Sequence, residues 1–158
     1  MALVYGTSTA LTITAGSLAS STARSSAAVT TTTAVNVTSI LLTVNVLTTA
    51  TAATGNKQVI VYGYASEDGT NYLGASSTVD NVDGTDKTLT AIGSPTNLVF
   101  IGTLQLNQGA AAVTIREVFE VTQAFGAVCP KWGIVLVNDA GTALGTTVSA
   151  TYREISYT

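Results

Sequence analysis

The chain has 158 residues, enough to enclose one hydrophobic core and too few for a second full domain. It is 46% hydrophobic and only 9% charged, with a net charge of −3, far from the roughly 25% charged residues of an average globular protein. The basic residues Arg24, Lys57, Lys87, Arg116, Lys131 and Arg153 stand singly, so no basic stripe exists to neutralise phosphates and nucleic-acid binding is disfavoured.

Histidine is absent, which removes the commonest general base, the Ser-His-Asp constellation and the usual zinc ligand. The lone Cys129 excludes an intramolecular disulfide and reads as a small apolar side chain, in keeping with folding in a reducing cytoplasm. Little charge and many Thr, Ala, Val and Ser side chains make a surface suited to contact with another protein, so assembly is expected.

In chain order, the opening Met1 to Gly6 carries no Lys or Arg ahead of its apolar residues, unlike a secretory signal, and no apolar run approaches a membrane span. Residues 7–34 are rich in Thr, Ser and Ala, with an apolar alternation at Leu11 and Ile13 and the single charge Arg24. This stretch reads as an N-terminal arm (residues 1–34) ahead of a body (35–158), held either by a neighbouring subunit or by the domain's own sheet edge. Leu11, Ile13 and Arg24 are the candidate interface residues.

From Val35 the chain is a series of β-type runs bounded by Gly, Asn, Asp and Pro. Val35 and Val37 have one parity and Ile40, Leu42, Val44 and Val46 the other, so a bulge is expected near Thr38 and Ser39. Lys57 to Tyr64 is apolar on both faces and should lie inside a sheet. Ser66-Glu67-Asp68-Gly69-Thr70-Asn71 has the shape of a hairpin turn leading to Tyr72-Leu73. Further strands are expected at Lys87 to Ile92, Leu98 to Leu106, Val113 to Thr122, Trp132 to Val137 and Thr146 to Tyr157. About eight short strands with short connections indicate an all-β, antiparallel β-sandwich, jelly-roll-like, with minimal helix. Leu98, Phe100, Leu104 and Leu106 on one strand and Trp132, Ile134 and Leu136 on another should supply facing layers of the core.

Three groups of side chains invite a chemical reading. Glu67/Asp68 and Glu117/Glu120 are the close acidic pairs, but residues at i,i+1 on a strand or hairpin point apart and residues at i,i+3 on a strand lie on opposite faces, so neither forms an acid–base couple. Asp80, Asp83 and Asp86, with Asn81 and Gly84, offer oxygen ligands for calcium, although the spacing departs from an EF-hand and turn formation explains the same residues. Tyr62, Tyr64, Tyr72, Tyr152 and Tyr157 would stack on sugar rings if they lined an exposed face, and otherwise are half-buried strand residues. Glu117 is the odd residue on a strand of Val113, Ile115, Phe119 and Val121; alternation would bury it unless a bulge turns it out or Arg116, Arg153 or a neighbouring subunit pairs with it. No cofactor is expected, and the chain reads as a non-enzyme.

The opening Met1-Ala2-Leu3-Val4-Tyr5-Gly6-Thr7-Ser8-Thr9-Ala10-Leu11-Thr12-Ile13, the middle Ser66-Glu67-Asp68-Gly69-Thr70-Asn71-Tyr72 and the late Lys131-Trp132-Gly133-Ile134-Val135 together resemble small virion structural proteins of tailed bacteriophages. The resemblance implies a capsid decoration, or cement, role on the capsid surface after synthesis in the host cytoplasm. Its implied partners are the major capsid protein and copies of itself, with a trimer expected from local three-fold lattice symmetry, and neither nucleic acid nor membrane. It brings no catalytic residues. The alternatives are a head-fibre or tail module binding a host glycan, a tail or connector component, and an extracellular adhesion module.

Overall fold

The computed structural model describes residues 2–32, 36–72, 82–89, 98–106 and 112–158. The described chain is an all-β sandwich of two antiparallel sheets, as its alternating sequence demands. The first sheet contains β1 (Leu3–Tyr5), β2 (Thr9–Leu11), β5 (Val37–Leu47), β9 (Thr114–Glu120) and β11 (Val148–Tyr157), in the order β1-β11-β5-β9, with β2 also on β11. The second contains β3 (Ala23–Ser25), β4 (Val29–Thr30), β6 (Gln58–Ser66), β7 (Lys87–Leu89), β8 (Val99–Gln105) and β10 (Lys131–Asp139), in the order β7-β3-β10-β6-β8, with β4 also on β10. No helix among the described residues is long and apolar enough to cross a membrane.

Alternation sets the faces. On β5 the even residues Ile40, Leu42, Val44 and Val46 are buried between the sheets, where they meet Val59 and Val61 of β6 and Trp132, Ile134 and Leu136 of β10. The expected change of phase is present: Ser39 pairs with Ile155 but Val37 with Ser156, leaving Thr38 as the extra residue of a bulge. The strand β6, apolar on both faces, lies between β10 and β8. Its outer residues Ile60, Tyr62 and Tyr64, with Val135 and Val137 of β10, form a second cluster covered by Tyr72, Val82, Leu89 and Leu98. The chain itself thus roofs the outer face of the second sheet over β3, β10 and β6, and leaves Phe100 of β8 exposed.

The expected division into an arm and a body does not hold. Residues 2–32 supply β1 to β4, which pair with β11, β10 and β7. The strands β1 and β2 are one edge strand interrupted by a bulge, in which residues 6–8 stand opposite residues 153 and 154. Leu11, Ile13, Ala15 and Leu18 belong to the main core. Low-complexity composition suggested a separable segment, but small side chains at alternate positions fit a crowded inter-sheet space, and pairing along β10 and β11 satisfies the backbone.

Phe100 was expected in the core beside Trp132, Ile134 and Leu104; these three are fully buried, whereas Phe100 is 58% exposed. Val61 pairs with Gly102 and Tyr62 with Phe100, so Ile101 is an extra residue that inverts the alternation of β8. Ile101 packs toward the main core and Phe100 turns outward, edge-on to Tyr62 at 6.0 Å between ring centroids. A second departure closes the strand expected to reach Thr122. It ends at Glu120, and Val121–Phe125 form the short helix α1, terminated by Gly126 at φ 75° with its N–H donated to the Thr122 carbonyl.

Aromatic rings fill the space left by glycines. A Cβ on Gly63 would stand 2.6 Å from the Phe125 ring and one on Gly102 2.5 Å from the Phe119 ring, while a Cβ on Gly133 would collide with the Tyr64 ring. These close approaches anchor α1 and β9 against the second sheet and hold Tyr64 flat across β10, its hydroxyl donated to the Ser26 carbonyl at 2.6 Å.

Candidate docking surface

Leu3, Tyr5, Val118 and Tyr157, four of the exposed large apolar side chains among the described residues, gather on the outer face of the first sheet. Register places three rows of side chains there: Arg153, Leu41 and Glu120; Thr151, Thr43 and Val118; Ser149, Asn45 and Arg116. On the far side of β11, Tyr5 pairs with Ile155 and Leu3 with Tyr157, which continues the face to the edge strand. Leu3, Tyr5, Val118 and Tyr157 are 39 to 57% exposed. A shallow groove of about 250 Å³ crosses the face, lined by Tyr5, Ser8, Leu41, Thr43, Arg116, Val118, Thr151, Tyr152 and Arg153.

This surface has a physical origin in the sequence. Every second residue of β5, β9 and β11 must face away from the core, and here those positions carry Leu41, Thr43, Val118 and Thr151 as well as charges. A sheet face left to solvent usually alternates to polar residues; Thr and exposed aliphatic side chains desolvate cheaply, which suits contact with protein. A smaller polar recess lies beside the bulge at residues 6–8, lined by Gly6, Thr7, Thr9, Thr32, Tyr152 and Glu154. There the Thr32 N–H donates to Glu154 at 2.8 Å, and burial, then the Glu154 charge, pushes the Tyr152 phenol up.

Of the interface residues expected from sequence, Leu11 and Ile13 are core residues of this chain and offer no surface to a neighbour. Arg24 is occupied at home: its Nε donates to Asp86 at 2.6 Å and its Nη1 to the Thr88 hydroxyl at 2.9 Å. The two described members of the acidic cluster, Asp83 and Asp86, each have their own partners. Asp80 lies outside the described residues, Asp83 accepts from Lys87 Nζ at 2.7 Å, and Asp86 accepts from Arg24 and from the Thr14 hydroxyl at 2.6 Å. For both, burial raises the carboxyl, but hydrogen bonds outweigh it: Lys87 and Thr85 bring Asp83 down to about 2, and Arg24 and Thr14 hold Asp86 below the usual carboxylate range. Among the described residues, no group of three His, Cys, Asp or Glu side chains converges as a metal site.

The remaining titratable groups are dispersed. Glu117 and Glu120 lie on opposite faces of β9, opposite Val44 and Leu41, as their spacing required. Glu117 follows strict alternation onto the inner face and stays exposed because β9 is an edge strand, so neither a bulge nor a basic partner is needed. Asp68 serves its own turn, accepting from the N–H groups of Thr70 and Asn71, each at 2.8 Å, and those bonds hold its carboxyl well below the ordinary value. Of the expected hairpin, the turn through Asp68 and Asn71 and Tyr72 are described, with Tyr72 edge-on to Tyr64 at 5.5 Å; its second strand, from Leu73, lies outside the described residues. The tyrosines form no single platform. Tyr62, Tyr64 and Tyr72 belong to the roofed side and Tyr152 packs on Trp132, while Tyr157 joins Tyr5 on the open face. Burial, then the charge of Glu67, pushes the Cys129 thiol up, the reverse of an activated nucleophile.

Sequence reading missed Tyr5, Leu41, Thr43, Val118 and Arg153 as one surface, because it treated β1, β5, β9 and β11 separately; the available signal was that their outward positions are unusually apolar. No family model, curated protein or solved structure matches this chain.

Proposed function

We propose that this chain is a non-catalytic structural protein of a tailed-phage particle, a capsid decoration protein that attaches to the lattice of the major capsid protein through the outer face of its first sheet. The observation that carries this reading is the asymmetry of the sandwich. One outer face is roofed by Tyr72, Val82 and Leu89 and leaves Phe100 exposed beside Tyr62, whereas the other presents Leu3, Tyr5, Val118 and Tyr157 together to solvent. Large exposed apolar patches mark interaction sites on soluble proteins, and a sheet face of apolar and hydroxyl side chains crossed by a shallow groove matches a repetitive protein surface better than a small substrate.

The strand order supports the finer fold assignment. With β1/β2 and β3/β4 each taken as one interrupted strand, the sheets read β2-β11-β5-β9 and β7-β3-β10-β6-β8; leaving aside the three-residue edge strand β7, this is the order produced by winding two Greek keys into a jelly roll. That architecture is used in viral capsid and lectin domains, so it is compatible with the role without dictating it. Binding many identical sites gains from multivalency, so a modest interface on each copy suffices, and trimers at local three-fold positions complete the proposal.

Quantifying the chain against the major capsid protein in purified particles tests the reading, with copies in step with the capsid protein expected. Val118→Asp should abolish attachment while leaving the melting temperature unchanged. A low fixed copy number would instead indicate a tail or connector component. Glycan-array binding lost on Tyr5→Ala or Tyr157→Ala would favour the glycan-binding module, which the two exposed tyrosines on this face would serve.

A further inference from the structure

The basic side chains divide by what they meet. Arg24 and Lys87 are paired with Asp86 and Asp83, and Lys131 donates to the Gly69 carbonyl at 3.3 Å. Arg116 and Arg153 make neither an ion pair nor a hydrogen bond among the described residues, and both line the groove on the open face of the first sheet. They reach it from strands on either side of β5: Arg153 stands opposite Leu41 and Arg116 opposite Asn45. Between them lie the hydroxyls of Thr43 and Thr151 and the aliphatic side chains of Leu41 and Val118.

Among the described residues, the carboxylate that register places on this face is Glu120, and it accepts from the Ser39 hydroxyl at 2.7 Å. A chain of net charge −3 therefore gathers two unengaged guanidinium groups on its most apolar exposed face. Positive charge placed on a docking face selects partners of complementary potential and speeds encounter. The two residues stand on strands either side of β5 and four β5 positions apart in register, at Leu41 and Asn45, a backbone spacing that suits an extended ligand better than a compact free anion. An extended segment would span both while laying apolar side chains on Leu41 and Val118, and arginine suits planar carboxylates.

We propose that this groove receives an acidic segment of a partner protein, with Arg116 and Arg153 each meeting a carboxylate. The proposal rests on reading this face as the docking surface, and it names the chemistry of what docks there.

The test titrates the full chain with a fluorescent peptide in which Glu alternates with Leu and Ala, against the same peptide carrying Gln for Glu. Binding of the Glu peptide should weaken at least tenfold between about 0.05 M and about 0.5 M salt, where the screening length falls to a few ångströms, and at least tenfold in R116Q/R153Q. Lys57→Gln should leave it unchanged. The wild-type comparison of the two peptides needs no variant, so it stands even if the double variant folds poorly. Absence of Glu-peptide binding, equal binding of the Gln peptide, or equal displacement by inorganic phosphate or a sulfated polysaccharide would overturn the proposal. So would sedimentation showing that wild type self-associates and R116Q/R153Q does not, since the occupant would then be a second copy. If Val118→Asp abolishes attachment to particles and R116Q/R153Q does not, the docking face stands and the acidic partner falls; if neither variant affects attachment, the docking reading falls with it.

Discussion

Replacing Trp132 tests the placement of the core most directly. Its side chain is completely buried on β10, between Val29 of β4 and Ala65 of β6 in register, and it packs perpendicular to Tyr152 with ring centroids 5.4 Å apart. Truncating a buried aromatic to alanine costs about 3–5 kcal/mol, a large part of the roughly 5–15 kcal/mol that holds a domain folded. At about 2–4 °C per kcal/mol for a chain of this size, Trp132→Ala should lower Tm by about 6–20 °C. Trp132→Phe separates two contributions. The indole N–H has no hydrogen-bond acceptor among the described residues, and a buried unpaired donor costs about 1–3 kcal/mol. Phenylalanine removes that donor while keeping a ring against Tyr152, so it should lose less than half of what alanine loses. Urea unfolding followed by far-ultraviolet circular dichroism measures both variants, since tryptophan emission is lost with the only tryptophan. An alanine variant with an unchanged midpoint, or a phenylalanine variant less stable than alanine, would refute this account of the core.

Three further outcomes follow from the same packing. Deleting residues 2–32 should abolish cooperative folding, because Leu11, Ile13 and Leu18 leave the core at about 1.5–3 kcal/mol each and two sheet edges are bared; a soluble truncated protein with a sharp melt would contradict this. Gly133→Ala should destabilise by about 1–3 kcal/mol through overpacking, since Tyr64 is held by Ser26 and Tyr72 and cannot swing away; an unchanged urea midpoint would show that the ring moves. Asp83 and Asp86 titrate lower in the folded chain than the usual value near 3.9. Their contribution is therefore complete above about pH 4 and is lost as pH falls below it through the folded values. Asp86→Asn should lower stability at neutral pH by about 1.5–3 kcal/mol, the worth of hydrogen bonds to a charged group, and flatten the acid limb of a Tm-against-pH curve; a limb as steep as wild type would assign the acid sensitivity elsewhere.

Strand alternation and composition determined the class of this protein. Ile40, Leu42, Val44 and Val46 could face only one way, the parity change before Ser39 required the bulge at Thr38, and turn residues marked most strand ends. The burial of Trp132, Ile134 and Leu104 was likewise legible, because alternate large apolar residues on a strand must share a covered face. Tertiary structure decided the rest. Phe100 faces outward because Ile101 is an extra residue opposite β6, and a one-residue slip in pairing leaves no trace in the strand's own sequence. Residues 7–32 belong to the sandwich and not to an arm because β10 and β11, more than a hundred residues away, supply the backbone partners of β2, β3 and β4. The open face exists because the segment bearing Val82 and Leu89 roofs the second sheet and not the first. A sequence records which residues alternate, but which of two apolar faces the chain covers depends on where a distant segment finds its pairing.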